Sequence, residues 1–387
     1  MYETLGLRQD PHHVEGIDEH KTIPNMKNTI ICSIAVLSAA LLAACTETTR
    51  IWPEEGESKA YVEVSSQKVI FDADGGNAVI TVATNADGWD YAAEGDWFTV
   101  ARQDGNALLV ETLINAGAET LTGKLTVSAE KNGETVSQEV ALVQRAERSV
   151  NLSAEGTANC YIATSLNTAY SFDATVMGNG RTTTNIRPQP LRGAEARVLW
   201  ETGKNRGAIV KSAELTGDGR IVFRTGLTYG NAVIGLFDAS GNCIWSWHIW
   251  SQNYDPAATA QTYTSGAVFM DRNLGALETD YTQPASRGLY YQWGRKDPFP
   301  YPALATNAYI PAPTVYAAGF EYAESDPRTS GTESPYDVMT LEWATAHPTT
   351  YMDGVFYADW EEWTSVADWL YVHHPNLWGN VTTGKNN

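Results

Sequence analysis

Apolar and polar residues alternate with a period of two along most of this chain, in runs too short to be helices. Between Ala60 and Gln144 the runs fall at 61–64, 69–71, 78–82, 98–100, 108–110, 123–127 and 136–143. Turn signals separate them: Asp74-Gly75-Gly76-Asn77, Asp87-Gly88, Asp104-Gly105-Asn106 and Lys131-Asn132-Gly133. Short strands at this spacing predict an Ig-like β-sandwich over 60–146. After a linker from Arg145 to Glu155 the alternation resumes at 160–162, 197–200, 208–210, 220–223, 232–237 and 244–250, which predicts a second β-sandwich over 157–256. Asp238-Ala239-Ser240-Gly241-Asn242 reads as the hairpin turn between its last two strands. In the final run Trp245, Trp247 and Ile249 share one face while His248 and Trp250 share the other. Such a strand is either buried on both sides or half exposed as an aromatic platform.

Past residue 266 the alternation breaks down. A strand-like entry at 267–270 leads through a polar turn to an aromatic strand closed by Gly294, which predicts a small unit folded around its own aromatics. A proline-rich stretch follows, then a helical stretch over 338–346 stopped by Pro348. The expected fold class is therefore mainly β, with tandem Ig-like β-sandwiches followed by an irregular α+β C-terminal region.

The start of the chain follows different rules. Residues 1–25 are polar and aperiodic, and read as a non-native N-terminal extension. Met26-Lys27-Asn28 and the apolar run 30–42 have the layout of a secretory signal and are too short to span a bilayer stably. The run ends in Leu42-Ala43-Ala44-Cys45, which resembles a bacterial lipobox and makes Cys45 the expected lipidation site of a signal peptide spanning 26–45. Residues 46–59, rich in Thr, Glu and Ser, then read as a tether. This leader implies an outer-membrane lipoprotein of the cell envelope, exposed at the surface and held by acyl chains.

Composition narrows the classes. A net charge of -20 excludes nucleic acid and anionic membrane as electrostatic partners. With 13 Trp, 19 Tyr and 32 Gly against 19% charged residues, the chain suits turn-rich β domains better than a helical enzyme. Beyond the leader only Cys160 and Cys243 remain to pair, and nothing in their spacing brings them together.

Several motifs carry a resemblance. Gly75-Gly76, Asp87-Gly88-Trp89, Asp96-Trp97 and the closing Val143-Gln144 resemble a BACON domain, an Ig-like module of exported Bacteroidetes proteins. Met270-Asp271-Arg272-Asn273-Leu274-Gly275 and the run from Tyr290 to Phe299 resemble Bacteroidetes fimbrium-tip or FISUMP-like domains. So do Ala158-Asn159-Cys160-Tyr161-Ile162, Ile244 to Trp250, His347-Pro348-Thr349-Thr350-Tyr351 and Leu377-Trp378-Gly379-Asn380. That resemblance covers 157–387, with the C-terminal region 266–387 incomplete because a Pro-Cys-Pro motif usually follows. It implies adhesion, with glycans or other host or bacterial surface ligands as partners and fimbrial subunits as further candidates.

Catalytic signals are absent. Asp271, Glu278 and Asp280, like Glu361 and Glu362, sit in no acid/base motif, and there is no Gly-x-Ser-x-Gly, His-Glu-x-x-His, phosphate loop or Cys-x-x-Cys. His248 lacks a second ligand at chelating spacing, and the adjacent His373 and His374 would point to opposite faces of a strand, so neither a metal nor a cofactor is expected. Trp89 and Trp97 read as core residues of the first sandwich. Trp250, Trp293, Trp360 and Trp363 are the candidate glycan-binding aromatics. The expected function is non-enzymatic adhesion or glycan binding. The alternatives are a pilus-associated structural subunit and the N-terminal part of a larger glycan hydrolase.

Overall fold

The computed structural model describes residues 59–182, 187–292, 294–300, 315–316, 321–324 and 340–353. Cys45 and the leader, Trp293, Trp360 and Trp363 lie outside the described residues. Within them the chain is mainly β, built as several sheets.

The first unit consists of β1 (Val62–Val64), β2 (Lys68–Phe71), β3 (Gly76–Thr84), β4 (Trp89–Glu94), β5 (Phe98–Gln103), β6 (Ala107–Thr112), β7 (Leu121–Lys131) and β8 (Glu134–Gln144). They form two four-stranded sheets, ordered β1-β3-β6-β5 and β2-β8-β7-β4. Both sheets feed one core, with Val62, Ile80, Leu108 and Val110 from one and Phe71, Leu125, Val127 and Leu142 from the other. β3 shows the cause most clearly: Ala78, Ile80 and Val82 are buried while Asn77, Val79, Thr81 and Ala83 are exposed. Full burial of a side chain the size of Ile80 or Val82 contributes about 1.5–3 kcal/mol through removal from water. The Lys131-Asn132-Gly133 signal marks the turn between β7 and β8, where Asn132 (φ 55°) and Gly133 (φ 80°) both take the left-handed conformation that a two-residue hairpin requires.

One strand has no counterpart in the sequence pattern. β4 reads Trp-Asp-Tyr-Ala-Ala-Glu and lies at a sheet edge with little of it buried, so it lacks the apolar alternation of its neighbours. The Tyr91 hydroxyl donates to the Val100 carbonyl (3.2 Å) and ties it to β5.

The second unit contains β9 (Val150–Asn151), β10 (Cys160–Ala163), β11 (Ala169–Asp173), β12 (Glu195–Thr202), β13 (Val210–Leu215), β14 (Arg220–Thr225), β15 (Gly230–Phe237) and β16 (Cys243–Ser251). The stretch read as a linker thus supplies β9, which pairs with β11. One sheet runs β13-β14-β11-β9, and the other starts β10-β16-β15-β12. Their shared core is aromatic: Tyr161 stacks on Phe172 with centroids 4.8 Å apart, and Phe172 meets Trp247 at 5.1 Å. The predicted turn at Asp238–Asn242 does join β15 to β16, with Asp238 Oδ1 accepting from the Ser240 and Asn242 amides. The run at 208–210 is mostly loop instead. Its amides turn inward to the fully buried Glu201 carboxylate, which accepts from Ile209 (2.8 Å) and Val210 (3.0 Å).

The third segment comprises β17 (Gln261–Thr262), β18 (Val268–Phe269), β19 (Tyr290–Tyr291), β20 (Pro298–Phe299), β21 (Val315–Tyr316), β22 (Glu321–Glu324), a helix (Leu341–Ala346) and β23 (Thr350–Asp353). β21 extends the β10-β16-β15-β12 sheet through β12. The helix starts at Thr340, whose hydroxyl accepts from the Trp343 amide as an N-cap should. Among the described residues no helix is long and apolar enough to cross a membrane.

Candidate functional site

The motif residues of the second unit and the third segment converge on the outer face of β15 and β16. These two strands are buried along almost their whole length. Trp247 and Ile249 point into the aromatic core, so the alternation sends Ser246, His248 and Trp250 the other way. The third segment does not fold only around its own aromatics. It lies over this second face, which is why β15 reads as the nearly uninterrupted apolar run Gly-Asn-Ala-Val-Ile-Gly-Leu-Phe.

His248 is the centre of the contact. Parallel pairing of β10 with β16 sets Cys160 opposite His248, and antiparallel pairing sets Asn231 of β15 opposite Trp250, two residues along β16 and on the same face. The imidazole Nε2 lies 2.9 Å from Asn231 Oδ1, and Nδ1 lies 3.1 Å from Cys160 Sγ and 3.2 Å from the Tyr291 hydroxyl. Asn231 Nδ2 donates to the Gly275 carbonyl (2.9 Å), which turns the amide oxygen toward the ring. Nε2 therefore carries the proton and Nδ1 accepts. Gly275 is needed here, since its φ is +81° and a Cβ would stand 2.6 Å from Leu289 Cγ and 3.0 Å from Asn231 Oδ1.

Thiol, imidazole and carboxamide thus stand in the order of a nucleophile, a base and an orienting group. The electrostatics run against that use. Burial pushes the Cys160 thiol up to about 12 and the His248 imidazole down to about 3, so both are neutral near pH 7. A nucleophilic cysteine needs the thiolate, which a nearby cation would favour. The cations next door are already engaged. Asp297 Oδ1 accepts from the Ser246 hydroxyl (2.6 Å) and from Lys296 Nζ (2.5 Å), while Asp297 Oδ2 takes Arg295 Nε (3.2 Å). Arg295 also donates to Gln292 Oε1 (2.8 Å), the Thr350 carbonyl (2.7 Å) and the His347 carbonyl (2.8 Å), clamping the end of the helix to the seam. Burial likewise raises the Tyr291 hydroxyl well above its ordinary range, so it serves here as a hydrogen-bond donor.

Among the sequence-stated candidates that are described, Trp250 has 0% exposure and packs on Tyr254 with centroids 5.1 Å apart, so it offers no face to a sugar. It belongs to the covered side of β16 rather than to an open platform. Cys160 and Cys243 are free thiols. Cys160 is level with His248, five residues along β16 from Cys243, a separation of roughly 16 Å that no disulfide bridges. Trp97 is partly buried and packs edge-on against Phe98 at 4.9 Å. Trp89 is partly buried as well, with the Arg102 guanidinium 4.0 Å over its ring. Among the described residues no group of three His, Cys, Asp or Glu could hold a metal.

The sequence reading missed Asn231 and Tyr291 as partners of His248. The available signal was a polar Asn inside an otherwise apolar strand, since a buried carboxamide demands partners. It also missed the exposed aromatics. On the β17–β18 hairpin Tyr263 and Phe269 are 57% and 60% exposed, meeting edge to face at 5.5 Å, and Val268 beside them is equally open.

No family model matches the chain, and no curated protein does. Among solved structures it is similar to a tandem of titin Ig domains (9% identity, 50% of this chain and 97% of that one, TM-score 0.18). It is also similar to the E. coli chaperone DraB (11% identity, 49% and 95%, TM-score 0.20). An endo-fucoidan hydrolase of glycoside hydrolase family 107 matches at 14% identity over 50% of this chain and 34% of its own (TM-score 0.20). Overlaps this slight carry no activity across to the chain.

Proposed function

We propose that this is an exported, lipid-anchored cell-surface protein of BACON-like and fimbrium-tip-like build, with two tandem Ig-like sandwiches and an α+β C-terminal region, that binds a surface glycan without catalysis. One observation carries the reading. The thiol, imidazole and charged groups of the motif segments are spent on one another inside the seam, while a pair of aromatic rings stands open on the β17–β18 hairpin. Exposed rings beside hydroxyl and amide side chains suit the mixed apolar and polar faces of a sugar. In this reading Tyr263 and Phe269 take the contact role that Trp250, being buried, cannot.

The test is a glycan array and a cell-adherence assay with the full chain. Replacing Tyr263→Ala and Phe269→Ala together should weaken the strongest glycan signal about tenfold, equivalent to about 1.4 kcal/mol. A Cys45→Ser change should release the protein from the membrane fraction. Unchanged binding by the double variant, or no glycan bound at all, would sink the glycan reading. Membrane retention of the Cys45→Ser protein would sink the lipid anchor.

A further inference from the structure

Five residues, Arg145 to Ser149, separate β8 of the first unit from β9 of the second. A stretch that short is a natural hinge if it is free, but here it is stitched to both sides. On the first unit, the Arg145 amide donates to the Phe71 carbonyl (3.0 Å) and Asn115 Nδ2 donates to the Arg145 carbonyl (3.1 Å). Arg148 Nε lies 3.2 Å from Asp74 Oδ1, and the Ser149 hydroxyl bonds the Asp72 carboxylate. On the second unit, Arg145 pairs with Glu214 of β13 (2.5 Å) and Glu147 pairs with Arg224 of β14.

A contact remote from the linker bridges the same joint. The tip of the β13–β14 hairpin reaches the first unit, where the Gly217 amide donates to the Ile70 carbonyl of β2 (2.8 Å). The approach leaves no room for a side chain: a Cβ on Gly217 would stand 2.5 Å from Ala78 Cβ and 2.7 Å from Val69 Cγ1. Gly217 is not among the glycines with positive φ, so a side chain there adds the clash and no backbone strain. Ion pairs at half-open positions are individually weak. The main-chain bond and the glycine wedge are different, because any bend at 145–149 must pull the hairpin tip off β2.

We propose that the joint is a stiff strut, so that the first and second units move as one body and hold the seam in a fixed pose relative to the first unit. The consequence for a tethered surface protein is reach and stiffness: whatever flexibility it has must lie outside this joint.

Trypsin tests this directly, because Arg145 and Arg148 lie in the linker and proteolysis requires local opening. Cleavage of the full-length protein is followed by mass spectrometry, with the exposed Arg181 as the internal reference. Cutting after Arg145 and Arg148 should be at least about tenfold slower than after Arg181. Gly217→Val should speed linker cleavage about tenfold while leaving the Arg181 rate alone. Because a valine wedge can fail to fold, Gly217→Ala supplies a milder change that should move linker cleavage the same way. Small-angle scattering of the unaltered protein should fit a single rigid arrangement of the two units. Linker cleavage as fast as at Arg181, a Gly217→Val protein that folds with unchanged linker protection, a milder variant without effect, or scattering that demands many arrangements would each overturn the strut.

Discussion

β3 of the first unit and β15 of the second are antiparallel strands of similar length, yet they are written in different alphabets. In β3 every second side chain faces solvent, and the sequence alternates accordingly. In β15 nearly every residue is buried, because the aromatic core takes one face and the third segment takes the other. The difference teaches where polar groups can be left unmatched. In the first unit the exposed side chains on the strands can rely on water, whereas on the outer face of β15 and β16 a polar group must find a partner inside the protein.

Removing a partner therefore breaks the comparison most sharply. Asp297→Ala removes the carboxylate that balances the Arg295 and Lys296 cations, and should destabilise the second unit by about 3–5 kcal/mol in urea unfolding followed by tryptophan fluorescence. The first unit supplies the control. Asp90 pairs with Arg102 at an exposed edge, so Asp90→Ala should cost about 1 kcal/mol or less.

Acid should separate the two units next. Residues 60–146 contain no histidine, whereas His248 is held neutral in the seam, well below its ordinary 6.5 at about 3. Below pH 6.5 the unfolded chain binds a proton there that the folded chain refuses, so stability falls as pH drops through the window from about 6.5 to about 3. At a pH of about 5.5 the loss from this one group is about 1.4 kcal/mol. Replacing His248→Asn should flatten that part of the pH profile of the second unit and leave the first unit unchanged; an unaltered slope would mean the imidazole already titrates freely in the fold.

The smallest effect is expected at the hairpin. Tyr263→Ser and Phe269→Ser remove rings that pack chiefly on each other, and each should change stability by no more than about 0.5 kcal/mol in the same unfolding assay. A large loss would show that the rings support the fold instead of standing ready for a ligand.

How far the sequence could be read follows the same contrast. β3, β7 and β8 announce themselves because one face of each is at least partly open to water. β11 does not, since Ala-Tyr-Ser-Phe-Asp is buried almost throughout, with Ser171 bonded by Arg220 (2.5 Å) where a period-two reading wants an exposed residue. β4 escapes for the opposite reason, as an edge with little to bury. The two faces of β16 are written in Trp245 to Trp250, but what covers the second face is not, because the partners Asn231, Gly275 and Tyr291 come from three distant stretches. The choice between buried strand and open platform turns on that long-range contact, and local pattern carries no trace of it.

The parallel pairing of β10 with β16 also sets a timetable. β10 can acquire its neighbour only after about ninety further residues have emerged, and the outer face of β15 and β16 stays bare until the stretch from Tyr290 to Phe299 has followed. The first unit has a shorter wait, since β2 meets its parallel neighbour β8 after about seventy further residues, and its described strands are complete at Gln144. A chain delivered from its N-terminus thus presents a finished domain followed by an apolar sheet with an uncovered face, the interval in which aggregation or capture by a chaperone competes with folding.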